Sequence, residues 1–145
     1  MVCTFFGHSD CFDLDSHLLA HTIEELIQKG VDTFYVGHQG HFDRIVLGCL
    51  VKLHEKYPHI SFSVVLAYLP TQTATGNLYD SHSLYPEIVG TGLPKFAIER
   101  RNKWMIEQAN YCLCYIQHTW GGAYKFAKLA KKKGLTIINL SNIKF

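Results

Sequence analysis

Apolar residues along this chain follow two rhythms that alternate. Continuous apolar, β-branched or aromatic runs at residues 2–6, 31–36, 60–69, 111–117 and 135–140 read as buried strands. Between them, apolar positions recur at three- and four-residue steps. Leu19, Ile23, Leu26 and Ile27 form one such stripe, beginning after Ser16 and closed by Gly30. Ile45, Val46, Cys49, Leu50 and Leu53 form a second within residues 42–56, stopped at Tyr57 and Pro58. Phe126, Leu129 and Ala130 form a third within residues 123–133, whose last turn carries lysines suited to the helix dipole. Residues 95–109 return to helical composition. Residues 70–94 have no helical stripe and many turn formers, and a loop that long in a small domain is more often functional than idle.

Strands alternating with helices in this way predict one α/β domain over residues 1–145. The expected architecture is a Rossmann-like three-layer fold with a five-stranded, mainly parallel sheet in the order 3-2-1-4-5. Ligands of such sheets sit beyond the carboxyl ends of the strands, where the strand order reverses. That point falls between the first and fourth strands, at Gly7, His8, Ser9 and Asp10 on one side and residues 118–122 on the other. The turn after the second strand, residues 37–43, lies beside them.

Composition narrows the function classes. Hydrophobic residues make up 48% of the 145 residues and charged residues 18%, enough for a packed core. A formal net charge of +2 is too small to imply nucleic acid as a partner. No apolar run approaches ~18 residues, so no membrane-spanning helix is expected. Residues 1–7 are too short for a secretory leader. Five cysteines, an odd number set mostly among apolar neighbours, predict free thiols and a cytoplasmic location. Nine histidines make the charge depend on pH between about 5 and 7.5.

The candidate chemistry collects at the strand-to-helix seams. Gly121 and Gly122 stand between a strand and a helix, where free first-turn N–H groups and the helix dipole favour an anion such as phosphate. The simpler reading is a tight turn. Gly37, His38, Gln39 and Gly40 repeat the arrangement, with Asp43 either recognising a hydroxyl or resting in the first turn of the helix. No GxGxxG fingerprint and no P-loop lysine follow, so no nicotinamide cofactor or nucleoside-triphosphate chemistry is read, and no cofactor is expected. In the cluster Glu99, Arg100, Arg101, Asn102 and Lys103, the two arginines point about 100° apart on a helix. One of them can fork onto phosphate while the other faces solvent, and the sequence leaves open which. His8, Asp10, His38, His41 and His118 can gather at one end of the sheet. Their spacing matches no metal motif, so no metal is expected and hydrogen bonding to phosphate or sugar is the preferred role. Cys112 and Cys114 share one face of a strand and read as core. Trp120 is a candidate for stacking on a base, and Trp104 for packing.

Five stretches carry a family likeness: CTFFGHSD, FYVGHQGHFDRIVLGCLVKL, PTQ, ERRNKWMIEQANYCLCYI and GGAYKFAKLAKKKG. In this order they resemble YpsA-like proteins of the SLOG superfamily, relatives of the LOG (lysine-decarboxylase-like) proteins, over essentially the whole chain. The resemblance implies a Rossmann-like domain binding a nucleotide, nucleotide sugar or related phosphorylated ligand, as sensor or carrier, and a homo-oligomer. The implied pocket comprises Gly7, His8, Gly37, Gly40, Asp43, Gln72, Arg101, Asn102, Gly121 and Gly122. LOG relatives cleave the N-glycosidic bond of nucleoside monophosphates, using an arginine before the fourth strand and a glutamate in a PGGxGTxxE motif. Here Gly121 and Gly122 are followed by Ala123, Tyr124, Lys125, Phe126, Ala127 and Lys128, and that glutamate is missing. A hydrolase would have to draw on Asp43, Glu99 or Asp10 together with Arg101. A third reading is an interaction subunit with a vestigial pocket, assembling through aromatics such as Tyr79, Tyr85 and Trp104.

Overall fold

The computed structural model describes residues 1–69 and 82–145. The chain runs β1 (Val2–Gly7), α1 (Ser16–Gln28), β2 (Thr33–Val36), α2 (Gly40–Lys56), β3 (Ser61–Val65), β4 (Ser83–Leu84), two 3-10 turns (Glu87–Gly90 and Pro94–Phe96), α3 (Ala97–Gln108), β5 (Tyr111–Tyr115), α4 (Gly122–Lys132) and β6 (Thr136–Asn139). All pairings are parallel and the order is β4-β3-β2-β1-β5-β6.

The fold is therefore the expected α/β arrangement with one more strand than the pattern predicts: six among the described residues, where five were expected. The addition is β4, two residues inside the stretch read as a loop. Two residues are too few to show a period, so the strand exists only through its partner. Val64 N–H donates to His82 O at 2.7 Å and Leu66 N–H to Leu84 O at 2.8 Å. The helix expected from residue 95 begins at Ala97, after the turn Pro94–Phe96.

Alternation along the strands divides the core in two. Cys3, Phe5, Phe34, Val36, Phe62, Val64 and Leu113 face Leu19, Ile23, Leu26, Val46 and Leu50 of α1 and α2. Phe6, Val65, Cys112 and Cys114 face Met105 and Ile106 of α3 and Phe126, Ala127 and Ala130 of α4. Both faces are covered, which is why the strands read as unbroken apolar runs. All five cysteines are free thiols. Asp15 caps α1, its carboxylate accepting from the N–H groups of His17 and Leu18 at 2.9 and 3.3 Å. The order reverses between β1 and β5, so the ends of those strands open onto a crevice. No helix among the described residues is long and apolar enough to cross a membrane.

Candidate functional site

A cavity of about 540 Å³ opens at the carboxyl ends of β1, β2 and β5 and is walled on one side by α3. Three turns reach it: Gly7 to Asp10 after β1, Gly37 and Gln39 after β2, and His118 to Gly122 after β5. The size suits a small organic ligand.

The glycines serve different ends. A Cβ on Gly7 would sit 2.2 Å from the Phe42 ring, so this position is small to seat α2 against β1. A Cβ on Gly37 would lie 2.9 Å from Asp43 Oδ2 and 3.1 Å from the Arg101 guanidinium; its absence lets two opposite charges enter the cavity floor. Gly40 (φ +89°) passes against Ser9. Gly121 (φ +91°) takes a backbone conformation that a side chain would strain. A Cβ on Gly122 meets nothing, leaving the start of α4 open to the cavity.

That helix start has no side-chain cap. The amides of Gly122, Ala123 and Tyr124 precede the first intrahelical bond, which Lys125 N–H makes to Gly121 O at 3.1 Å. The seam before α2 differs. There the Asp43 carboxylate accepts from Gln39 N–H at 2.9 Å, and His41 N–H donates to Ser9 O at 3.3 Å. The protein's own carboxylate takes one amide of this turn and Ser9 O another, whereas the start of α4 has no side-chain cap.

Arg101 is 2% exposed, among the most deeply buried large side chains of the molecule. Its Nε donates to Asn102 Oδ1 at 2.7 Å and its Nη1 to Val65 O at 3.0 Å. Its other N–H groups meet no acceptor among the described residues, on a side chain that lines the cavity. Arg100 points elsewhere, donating from Nε to Val89 O at 3.0 Å and from Nη1 to Leu93 O at 2.9 Å. The question the sequence left open is thus answered: Arg101 faces the cavity and Arg100 ties down residues 87–96. Burial pushes the Asp43 carboxyl up to about 6, against the opposing pull of Gln39 N–H, Arg101 and Arg44.

At the turns after β1 and β5 three rings stack. His8 lies on His118 with centroids 3.7 Å apart, and His118 on Trp120 at 3.8 Å. Nδ1 of His118 is 3.1 Å from Trp120 O, which locks the ladder to the turn. One face of the Trp120 indole is thus taken by His118, while the side chain as a whole is 66% exposed. His8 is 6% exposed and its Nε2 is buried without a hydrogen-bond partner among the described residues, as is Nε2 of His38. Burial first, then His118, push His8 below the ordinary histidine range, while Asp10 pulls it back. His38 is lowered by burial and by Arg101.

Gly7, His8, Gly37, Asp43, Arg101, Asn102, Gly121 and Gly122 therefore share one cavity, with Gly40 at its edge against Ser9. Glu99 does not join them. Its carboxylate lies 3.1 Å from Lys125 Nζ and 3.6 Å from Lys103 Nζ, on the outer surface between α3 and α4. Gln72 and Tyr79 lie outside the described residues. Sequence reasoning missed Ile98 and Met105, which also line the cavity. The signal was present: Ile98, Arg101, Asn102 and Met105 occupy one helical face at i, i+3, i+4 and i+7, and that register selects Arg101 over Arg100. Among the described residues no group of three His, Cys, Asp or Glu side chains is arranged to hold a metal ion. The chain matches no known family model, and no curated protein matches it.

Proposed function

We propose that the protein binds a phosphorylated ligand of the nucleotide or nucleotide-sugar type at this cavity, as a sensor or carrier of the YpsA-like, SLOG kind. One observation carries the reading: a buried arginine with unused N–H groups and an uncapped helix N-terminus line the same cavity. Either alone is a weak argument for an anion. Together they put a full positive charge and a half charge around one space whose acidic lining, among the described residues, is Asp43 and Asp10. Asn102, through its bond to Nε, holds the guanidinium plane in place. Self-association belongs to the same proposal, and the exposed apolar side chains Ile88, Leu93 and Phe96 supply surface for it.

Thermal unfolding against millimolar nucleoside monophosphates, nucleotide sugars and dinucleotides tests the reading. A member present at ~100 times its Kd is expected to raise Tm by about 5–11 °C. Arg101→Met is expected to abolish that rise. The absence of any shift across the whole panel would sink the proposal.

The Asp43 carboxyl favours a second reading, N-glycosidic hydrolysis of nucleoside monophosphates. A carboxyl held at about 6 beside a phosphate-binding arginine is poised to exchange protons near neutrality. Release of free base from nucleoside monophosphates, lost in Asp43→Asn, is the result that separates this enzyme from a pure binder.

A further inference from the structure

The stack of His8, His118 and Trp120 does more than wall the cavity. His8 is almost wholly buried, lines the cavity, and has an Nε2 that no group among the described residues satisfies. Native structures seldom leave a buried polar atom unpaired without a reason. Its ring is held face to face against a second imidazole at 3.7 Å, a contact that two neutral rings tolerate and two charged rings do not. The charged and titratable groups around it are Asp10 on its own turn, His118 on the turn before α4, Asp43 of α2 and Arg101 of α3. With the cavity empty, burial and its histidine neighbour hold His8 neutral. A divalent anion entering the same cavity reverses the balance, because it stabilises the imidazolium and offers Nε2 an acceptor.

We propose that His8 takes up a proton when the cavity takes up a phosphoryl anion, so that ligand binding is proton-linked and strengthens as pH falls. This rests on the reading of the cavity as a phosphoryl site. The direction follows from linkage: the group's pKa is higher with the anion than without, so between those two values binding brings a proton with it. Below the empty-state value the effect saturates.

Asp43 would shift the same way, since an anion near a carboxylate raises its pKa as well. The test is therefore made in the Asp43→Asn background. The probes are sulfate and ADP-ribose, whose own charges do not change in the range of histidine titration. Calorimetry in buffers of different ionisation enthalpy is expected to show uptake of up to about one proton per anion, with affinity rising up to ~10-fold per pH unit across the window. His8→Gln should still bind the probes, more weakly, with the uptake gone. NMR of the His8 imidazole provides a second measurement that needs no variant at His8, and its pKa should rise when sulfate is added. Binding with no proton uptake, or uptake that persists in His8→Gln, overturns the proposal and leaves the phosphoryl site standing. Failure of both probes to bind brings down the phosphoryl site and the proposal with it.

Discussion

Asp43 shows how little a residue's type says until its surroundings are known. In the first turn of α2 a carboxylate is ordinarily stabilising. Here burial outweighs the Gln39 N–H, Arg101 and Arg44, and the folded-state value rises from 3.8 to about 6. A carboxyl raised in the folded state binds its proton more tightly there than in the unfolded chain. Its contribution to stability is therefore full below the unfolded value and is lost as pH rises through about 6. The loss is on the order of 3 kcal/mol. Urea unfolding of the wild type is expected to show this decline between about pH 4 and pH 6. Asp43→Asn should flatten it and be the more stable form near pH 8. A wild-type curve with no decline in that interval would refute the assignment. Arg101 is the complementary case. In the sequence it is half of an ambiguous pair, and in the fold it is a buried cation held by Asn102 and by a carbonyl of β3.

At the scale of elements, the segment between β4 and α3 departs most from expectation. Residues 70–94 were expected to form one long loop without regular structure, yet the edge strand β4 and the two 3-10 turns fall in and beside that stretch. Arg100 organises it by donating to Val89 O and Leu93 O, and its Nη1 passes 3.3 Å from where a Cβ on Gly92 (φ +77°) would stand. The bond to Val89 O is part-buried and the bond to Leu93 O exposed, and a charge-assisted bond is worth about 1.5–3 kcal/mol where water is excluded and less where it is not. Arg100→Met should therefore lose ~1–3 kcal/mol of stability. It should also speed amide exchange in residues 88–96 without changing exchange in β1 or β5. Equal acceleration throughout the sheet would mean that the clamp is global rather than local. The helix starts differ in a comparable way: Asp15 caps α1, Asp43 accepts from Gln39 N–H ahead of α2, and the start of α4 has no side-chain partner, so α4 keeps an anion-attracting end.

For the whole molecule, the decisive feature is the reversal of strand order between β1 and β5, which sets the two sides of the cavity next to each other. The same three-layer packing buries Cys3, Cys11, Cys112 and Cys114 completely and leaves Cys49 half-buried on α2. Burial pushes the Cys3, Cys11 and Cys49 thiols up, away from the reactive thiolate form. A thiol reagent added to the native protein is expected to modify Cys49 first, with the four buried cysteines following only at the rate of unfolding. Prompt labelling of Cys112 or Cys114 in the native state would contradict the packed face between the sheet and α3 and α4.

The alternation of apolar runs with helical stripes determined the layer architecture by itself, because strands covered on both faces must be apolar throughout and the helices covering them must be apolar on one stripe. The same local signals placed glycines and a carboxylate at the seams. What local pattern could not carry was anything set by distance through space. Arg101 is buried because α3 packs over the sheet and the guanidinium reaches Val65 O of β3. Asp43 occupies its own turn because Gly37 admits it. The rings of His8, His118 and Trp120 meet only because parallel pairing brings two remote turns side by side. A two-residue strand such as β4 has no periodicity to read and takes its identity from the partner it bonds. Sequence spacing fixed which surfaces were greasy; tertiary packing decided which polar groups were stripped of water, and the chemistry proposed for the cavity depends on that second choice.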